Sequence, residues 1–343
     1  MAEDRNQRSK LRRSFLVSRL PVPSRTSSTG IIAVVASLIL AIGSVSVDAI
    51  GQAEQKDRGD KARQETTRLH SDLVVINVTV TDSEGQYAHG LASKNFSILE
   101  DGVPQKIDSF TAEEAPFAAA ILMDMSGSME YRFGLVRGAA ASFIESIRED
   151  DQVALYGFND QVRLFQDFTN TRYITDYVWD AEARDNTRLY DCMAQAIEAL
   201  AKRPEKRRVI LMISDGWDTG SHKATMDSVI KNSHSAGITV YTVDLIDEKM
   251  LQGSGRYGSF LRRGRSEMRE FATQTGGRYV AAPDGANLEQ SFSGIIDELR
   301  NQYTLTYYSS NEKRDGRWRK ISVTLSKPEL MARTRRGYFG PKN

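Results

Sequence analysis

Five oxygen-bearing side chains occupy positions from which they could hold a cation. Three follow the apolar run 118–123, one follows the apolar run 209–213, and one precedes a helical pattern that begins near Leu189. Ligands of an open α/β sheet bind beyond the carboxyl ends of its parallel strands, so these side chains are predicted to converge there. They are Asp124, Ser126, Ser128, Thr187 and Asp215.

Two carboxylates and three hydroxyls form a ligand set of hard oxygen atoms, without sulfur or imidazole. Such a set suits octahedral Mg²⁺ (or Mn²⁺) better than zinc. The neutral hydroxyls leave part of the ion's charge unbalanced, so the site would accept a further carboxylate from outside. A simpler alternative for Ser126 and Ser128 is that they cap the helix that follows them, because serine favours that position.

Short apolar runs alternate with helical periodicity between residues 117 and 301. Continuous apolar runs indicate strands buried on both faces, and apolar positions three and four apart indicate amphipathic helices. This alternation predicts an α/β domain with a doubly wound, mostly parallel sheet. The predicted strands are 118–123, 153–158, 209–213, 238–243 and 279–282, and the predicted helical faces lie within 136–147, 189–200, 268–275 and 288–299.

The segments on either side of this domain follow a different rule. Apolar residues alternate with a period of two in 69–116 and again in 302–343, which is typical of strands with one buried face. We therefore expect the two segments to form one small flanking β-sandwich, with the α/β domain inserted between them. Within the inserted domain, the glycine- and arginine-rich stretch 247–265 predicts a mobile loop that carries a solvated cluster of Arg262, Arg263 and Arg265.

The site pattern resembles the metal-ion-dependent adhesion site of the von Willebrand factor A family, which includes the integrin I domains. The motif is D-x-S-x-S, a later Thr and a later Asp after an apolar strand. It is filled here by Asp124, Ser126, Ser128, Thr187 and Asp215. The resemblance covers about residues 117–300 and implies a Rossmann-like fold with a non-catalytic, cation-dependent binding function. It also implies that the hydroxyls contact the metal directly, that the aspartates often act through water, and that a partner's acidic side chain completes the shell.

The flanking segments resemble those of bacterial, acidobacteria-like members of the family. The similar stretches are Val80-Thr81-Asp82, the NFSILEDG sequence that ends at Gly102, and Arg335-Arg336-Gly337-Tyr338-Phe339. One position departs from the common pattern. Many members have two glycines before the threonine, whereas this chain has Asp185-Asn186, which predicts a stiffer loop and an additional negative charge near the site.

The N-terminal part of the chain carries a targeting signal. Residues 1–29 are a basic leader expected on the cytoplasmic side, residues 30–50 form a signal peptide or a retained membrane anchor, and residues 51–68 are a polar linker. Positive charge before an apolar segment predicts that the rest of the chain lies outside the cytoplasm. Contact with the membrane is then expected only through residues 30–50.

Several classes of protein are disfavoured by the sequence. The net charge of +1 argues against a nucleic-acid partner. The single cysteine, Cys192, excludes an intramolecular disulfide and a cysteine-based zinc site, and we interpret it as a small buried apolar residue. The four histidines are scattered, and we interpret them as ordinary polar residues. They are His70, His89, His222 and His234.

The sequence favours a non-catalytic binding module over an enzyme. It contains neither a G-x-S-x-G elbow nor a phosphate-binding P-loop. The main alternative is a metal-dependent, phosphatase-like hydrolase on a Rossmann-like fold. That chemistry needs a second carboxylate two residues after Asp124, and Ser126 stands there. A purely structural envelope protein is the other alternative. We therefore expect a cation-dependent adhesion module of the cell envelope that binds a protein partner through an acidic side chain.

Overall fold

A computed structural model of the chain gives the positions of most residues after the N-terminal segment. The described residues all belong to one compact unit, Asp57–Asn343. The predictions for the leader, the signal or anchor and the linker lie outside the described residues, and so does Asp185. The structure describes residues 73–112, 115–173, 186–253, 255–283 and 285–342, without the side chains of 285–287.

The described residues contain fourteen strands and six α-helices. The strands are β1 Leu73–Thr81, β2 Phe96–Glu100, β3 Val103–Gln105, β4 Ile107–Thr111, β5 Phe117–Asp124, β6 Gln152–Phe158, β7 Val162–Thr169, β8 Arg207–Ser214, β9 Ile238–Asp244, β10 Tyr279–Ala281, β11 Tyr303–Tyr308, β12 Trp318–Leu325, β13 Met331–Arg333 and β14 Gly337–Phe339. The helices are α1 Phe133–Glu145, α2 Leu189–Ala201, α3 Met226–Ala236, α4 Glu248–Leu251, α5 Arg256–Thr275 and α6 Gly285–Arg300.

The central sheet has six strands in the order β10-β9-β8-β5-β6-β7, and all pair in parallel except the edge strand β7. Alternate residues of β5 enter different cores. Ile121 packs in a core with Phe143 of α1 and Phe292 of α6, whereas Leu122 packs with Met193 of α2 and Phe271 of α5. The helices therefore cover both faces, which confirms the predicted doubly wound, mostly parallel sheet.

Two four-stranded antiparallel sheets flank this domain. Their orders are β13-β1-β11-β4 and β14-β12-β2-β3. Each sheet combines N-terminal and C-terminal strands, since β1 pairs with β11 and β2 with β12. A single apolar core, which includes Ile76, Ile98 and Leu305, lies between the sheets. The predicted flanking β-sandwich, built from both ends of the described chain, is therefore confirmed.

The prediction of a mobile loop at 247–265 was wrong. The stretch contains α4 and the first half of α5. Gly264 allows close packing, because a Cβ at this position would lie 2.5 Å from the carbonyl oxygen of Asp215. Arg265 is buried and forms an ion pair with Asp244 at 2.6 Å instead of being solvated. Both contacts join residues distant in sequence, so a local pattern of glycine and arginine could not reveal them.

Two further elements, β7 and α3, have no counterpart among the predicted elements. In β7 only Gln166 is buried, so the strand has no apolar run. In α3 the buried residues are Val229, Ser233 and His234, which is a weak apolar stripe. His234, which we interpreted as an ordinary polar residue, is one of the buried side chains of this helix. No helix among the residues that the structure describes is both long and apolar enough to cross a membrane.

Candidate metal centre

Three neighbouring strands of the central sheet end in polar residues at the same edge. The last residue of β5 is Asp124, the last of β8 is Ser214, and the last of β9 is Asp244. Ser214 and Asp244 are directly paired in the sheet. Because these strands run in parallel, their carboxyl ends form one rim, which is where a ligand of such a sheet is expected.

Asp124 is fully buried at this rim, and both of its carboxylate oxygens accept hydrogen bonds. The backbone N–H of Ser126 donates to one oxygen at 2.9 Å, and the hydroxyl of Ser214 donates to the other at 2.5 Å. Ser214 also accepts the N–H of Gly216 at 2.8 Å. The carboxylate is thus fixed to the turns after β5 and β8.

A chain of hydroxyl groups joins this side of the rim to Asp215. The hydroxyls of Ser126 and Ser128 lie 3.0 Å apart, and Ser128 donates to Asp215 at 2.6 Å. Ser126 precedes the 3-10 turn Gly127–Arg132 in the N-cap position, but its side chain forms no capping hydrogen bond. The hydroxyls therefore face each other and the carboxylates, which does not support the capping alternative.

Thr187 reaches the same rim through its backbone. Its carbonyl oxygen accepts the N–H groups of Thr219 and Gly220 at 3.0 and 2.9 Å, and its own N–H donates to the Thr219 hydroxyl. These partners lie four and five residues after Asp215 in the turn that follows β8. The side chain of Thr187 is buried. The structure thus links four predicted ligands by hydrogen bonds and holds the fifth against the adjoining turn.

The two carboxylates of the rim disfavour each other's charge. Burial and the charge of Asp215 raise the pKa of Asp124 to about 7, against the opposing effect of its hydrogen bonds from Ser126 and Ser214. Burial also raises the pKa of Asp215, and the charge of Asp244 adds to that effect, while the bond from Ser128 opposes it. Two buried anions side by side are electrostatically costly unless a positive charge compensates them.

Among the described residues, neither of these two carboxylates forms an ion pair with a lysine or arginine. Their hydrogen-bond partners are hydroxyls and N–H groups. The atoms that could coordinate a metal there are oxygens, which Mg²⁺ and Mn²⁺ prefer as ligands. No group of three or more His, Cys, Asp or Glu side chains is placed to hold a metal in the described part of the chain. The residues present therefore fit a hard divalent cation held largely by hydroxyls, and they do not fit a zinc or multi-carboxylate site.

Several residues of this region were missed by the sequence analysis. Ser214 holds Asp124, and its position directly before Asp215 was the available signal. Asp244 ends an apolar strand as Asp124 does, but its ion pair with Arg265 is visible only in the fold. Trp217, beside Asp215, stacks on Phe260 of α5 with ring centroids 4.4 Å apart. The stack adds an aromatic surface next to the rim.

The turn between β8 and α3 is held by two further carboxylates. Asp191 of α2 accepts the N–H groups of Lys223 and Ala224, each at 2.9 Å. Asp218 accepts the N–H of Tyr190 at 3.3 Å and the hydroxyl of Ser221 at 2.6 Å. Asp218 therefore joins the start of α2 to the turn that follows β8. Cys192 is buried, as expected for a small apolar residue.

The fold and its rim define the class of the inserted domain. A doubly wound sheet with an aspartate at the end of its central strand carries the predicted D-x-S-x-S sequence at that strand's end. Residues 119–217 match the family model of the von Willebrand factor type A domain. Residues 119–217 thus match this family, and the α/β domain that contains them is inserted into a β-sandwich.

Solved structures similar to this chain have low sequence identity with it. A von Willebrand factor type A protein from Catenulispora acidiphila is 12% identical, with a TM-score of 0.45, over 80% of this chain and 74% of that one. The von Willebrand factor domain of the type V pili tip protein Mfa5 from Porphyromonas gingivalis is also 12% identical, with a TM-score of 0.42, over 53% of this chain and 94% of that one.

The PilB minor pilin from Streptococcus sanguinis is 14% identical, with a TM-score of 0.41 and 55% of this chain covered. The matched region spans only 62% of that pilin, which is less than two thirds of its length. No curated protein matches the sequence. These low identities and TM-scores carry no argument, and the family model matches residues 119–217.

Proposed function

We propose that the protein is a non-catalytic binding module of the cell envelope that takes up a divalent cation, Mg²⁺ or Mn²⁺, at the rim of its α/β domain. Asp124, Ser126, Ser128, Thr187 and Asp215 hold the ion. An acidic side chain of a protein partner completes its shell. The apolar segment within residues 30–50 directs the described part of the chain out of the cytoplasm.

The observation that carries this proposal is the uncompensated pair of buried carboxylates at the rim. Asp124 and Asp215 are 0% and 3% exposed, and their nearest partners in the described residues are neutral. The other side-chain oxygen atoms in this network are hydroxyls, and Asp244 at the end of β9 is already paired with Arg265. A divalent cation would balance both negative charges, and the hydroxyls would coordinate it without adding charge. The ion would then retain the capacity to attract an anionic ligand.

The first test is cation binding by the purified protein. Calorimetric titration with Mg²⁺ and Mn²⁺ is expected to show one site, and saturation is expected to raise the melting temperature because the ion binds only the native state. At a concentration one hundred times Kd the stabilisation is about 2.7 kcal/mol. Asp124→Ala should abolish both effects, and Asp108→Ala, which removes an exposed carboxylate from β4, should leave them unchanged. A wild-type protein that binds neither ion would refute the cation site.

The second test concerns the partner. Capture of envelope proteins on the immobilised protein is expected to be lost with a chelator and restored by Mg²⁺. Thr187→Ala should weaken capture more than it weakens folding, since its backbone bonds to Thr219 and Gly220 remain. Capture that is indifferent to both chelator and Asp124→Ala would contradict the proposed function. Cation-dependent hydrolysis of a simple phosphate ester would instead favour the enzymatic alternative.

A further inference from the structure

Arg132 lies beside the proposed cation site and was not among its predicted residues. It is the last residue of the 3-10 turn Gly127–Arg132, which also carries Ser128. Its guanidinium contacts Met250 of α4, the helix that follows β9 and its last residue Asp244, so it lies at the same edge of the sheet as the Asp215 carboxylate. The two groups nevertheless form no ion pair in the described structure. Arg132 therefore stands near the site without neutralising it.

The guanidinium of Arg132 lacks an anionic partner in the described residues. Its side chain is half-buried, and it donates to the thioether sulfur of Met250 in α4 at 3.3 Å. A thioether is a weak acceptor, and a guanidinium has five N–H donors in a fork that matches a carboxylate. The contact with Met250 orients the side chain and leaves most of its donors for another group.

The other arginine that reaches this rim is fully engaged. Arg265 contacts Asp244 at 2.6 Å, donates to the carbonyl oxygen of Ile246 at 3.0 Å, and also binds Glu248. A buried guanidinium is costly unless acceptors pair with it, and Arg265 has such acceptors. Arg132 differs from it in each of these respects, although both arginines lie near the same set of strand ends.

Charge balance indicates which kind of ligand group would contact Arg132. A divalent cation equals the combined charge of ionised Asp124 and Asp215, and the neighbouring Asp244 is balanced by its ion pair with Arg265, so the occupied site is close to neutral. Arg132 then adds one positive charge next to it. An incoming carboxylate removes this excess, and it can accept hydrogen bonds from the guanidinium while one of its oxygens reaches the ion.

We propose that Arg132 is a second anchor for the partner's acidic side chain, so that one carboxylate is held between the cation and the Arg132 guanidinium. This inference rests on the proposed function of the same site. It narrows the partner to one that presents an accessible aspartate or glutamate to a half-buried arginine, and it makes Arg132 a determinant of ligand affinity but not of cation affinity.

The experiment uses Mn²⁺ and a defined probe, the capped tripeptide acetyl-Gly-Glu-Gly-amide. Electron paramagnetic resonance measures Mn²⁺ affinity, and the relaxation of water protons reports when the probe displaces water from the bound ion. The wild type is expected to bind the probe only with Mn²⁺, and the glutamine analogue of the probe should not compete. Arg132→Gln should bind Mn²⁺ at least as tightly, because a repulsive charge is removed, and should bind the probe about tenfold more weakly.

Two variants complete the design. Arg132→Lys keeps the charge without the fork and should recover part of the probe affinity. Arg317→Gln removes a positive charge from an arginine whose side chain is 85% exposed in the sandwich, and it should leave both affinities unchanged. If Arg132 served only to hold α4 through Met250, Arg132→Gln would alter the melting temperature but not the probe affinity relative to Mn²⁺ affinity.

The outcomes separate this inference from the proposed function. A wild type that does not bind Mn²⁺ refutes the cation site itself. A wild type that binds Mn²⁺ but not the glutamate probe, or that binds the glutamine analogue equally well, leaves the cation site intact but refutes the acidic ligand of the proposed function and, with it, the role of Arg132. Equal probe affinity in the wild type and Arg132→Gln, with Mn²⁺ bound to both, overturns it as well.

Discussion

The β-sandwich and the rim of the α/β domain both bury carboxylates, but they compensate the charge in different ways. In the sandwich, Glu100 is 2% exposed, lies 3.5 Å from Arg319 and accepts hydroxyl groups from Tyr307, Ser309 and Tyr338. At the rim, Asp124 and Asp215 accept hydroxyl and N–H groups without a guanidinium in contact, as far as the described residues show.

A third buried carboxylate, outside the rim, also has arginine partners. Glu298 of α6 lies at the joint with the sandwich, is 1% exposed, and pairs with Arg333 and Arg278. It also accepts the hydroxyls of Tyr241 and Thr79. Burial by itself therefore does not deprive a carboxylate of an arginine in this protein. The rim pair has no arginine partner among the described residues and lies where parallel strands end, as expected when the compensating charge comes from outside the chain.

The largest effect is expected from breaking a compensated site. Glu100→Ala would leave Arg319 buried and unpaired, and removal of one partner of a buried pair costs about 3–5 kcal/mol. Urea denaturation of wild type and variant measures the change in the free energy of unfolding. Lys94→Ala, at an exposed position near the start of the same strand, is the control. A loss below 1 kcal/mol for Glu100→Ala would show that the sandwich does not depend on this pair.

His234 of α3 is a buried titratable side chain outside the rim. Burial and the charge of Arg335 lower the pKa of His234 to about 4. The unfolded chain takes up the proton near pH 6.5 and the folded chain only near pH 4, so stability is expected to fall as the pH drops through this window. The loss attributable to His234 is about 2–3 kcal/mol.

Unfolding curves measured at pH 7 and pH 4.5 for wild type, His234→Gln and His222→Gln test this prediction. His234→Gln should show a shallower dependence on pH than the wild type. His222 is the matched control, since its side chain is 55% exposed. The same slope in wild type and His234→Gln would contradict the assignment, whatever the stability of the variant at neutral pH.

An intermediate loss of stability is expected for substitution of Asp191, a buried carboxylate whose partners are backbone N–H groups and not a guanidinium. Asp191→Ala would leave the N–H groups of Lys223 and Ala224 without their acceptor, at a cost of about 1–2 kcal/mol. The same turn holds Thr187, so the affinity for Mg²⁺ should also fall. Calorimetry and chemical denaturation of one sample measure both quantities. Unchanged Mg²⁺ affinity in a destabilised variant would separate this turn from the site.

The smallest effect on the metal-free protein is expected at the rim. Asp124→Asn keeps the shape of the side chain and removes one of two mutually repelling charges, so the free energy of unfolding without cation should change by less than about 1 kcal/mol. The stabilisation by Mg²⁺ should disappear in this variant. Glu298→Gln is the contrasting variant, because it breaks a compensated pair and should lose stability with or without Mg²⁺. A large loss for Asp124→Asn without cation would remove the distinction between the two regions.

Much of the fold follows from the order of the sequence. Continuous apolar runs such as 118–123 and 209–213 correspond to β5 and β8, and the period-two flanks form the sandwich. These patterns are local, because the apolar repeat of a strand or helix is visible within a few residues of sequence. The rim residues were also accessible in this way, since Asp124 and Asp215 stand at the ends of such runs.

The tertiary structure decided which charges meet. The pair of Asp244 and Arg265, the close approach of Gly264 to the turn after β8, and the bond from Ser214 to Asp124 all join distant segments. The apolar repeat determines which face of a strand or helix is buried. It does not determine which side chain packs against that face. For that reason the sequence alone indicated oxygen atoms at the rim that could bind a cation, and only the fold showed which buried carboxylates have an arginine partner and that Asp124 and Asp215 have none in the described residues.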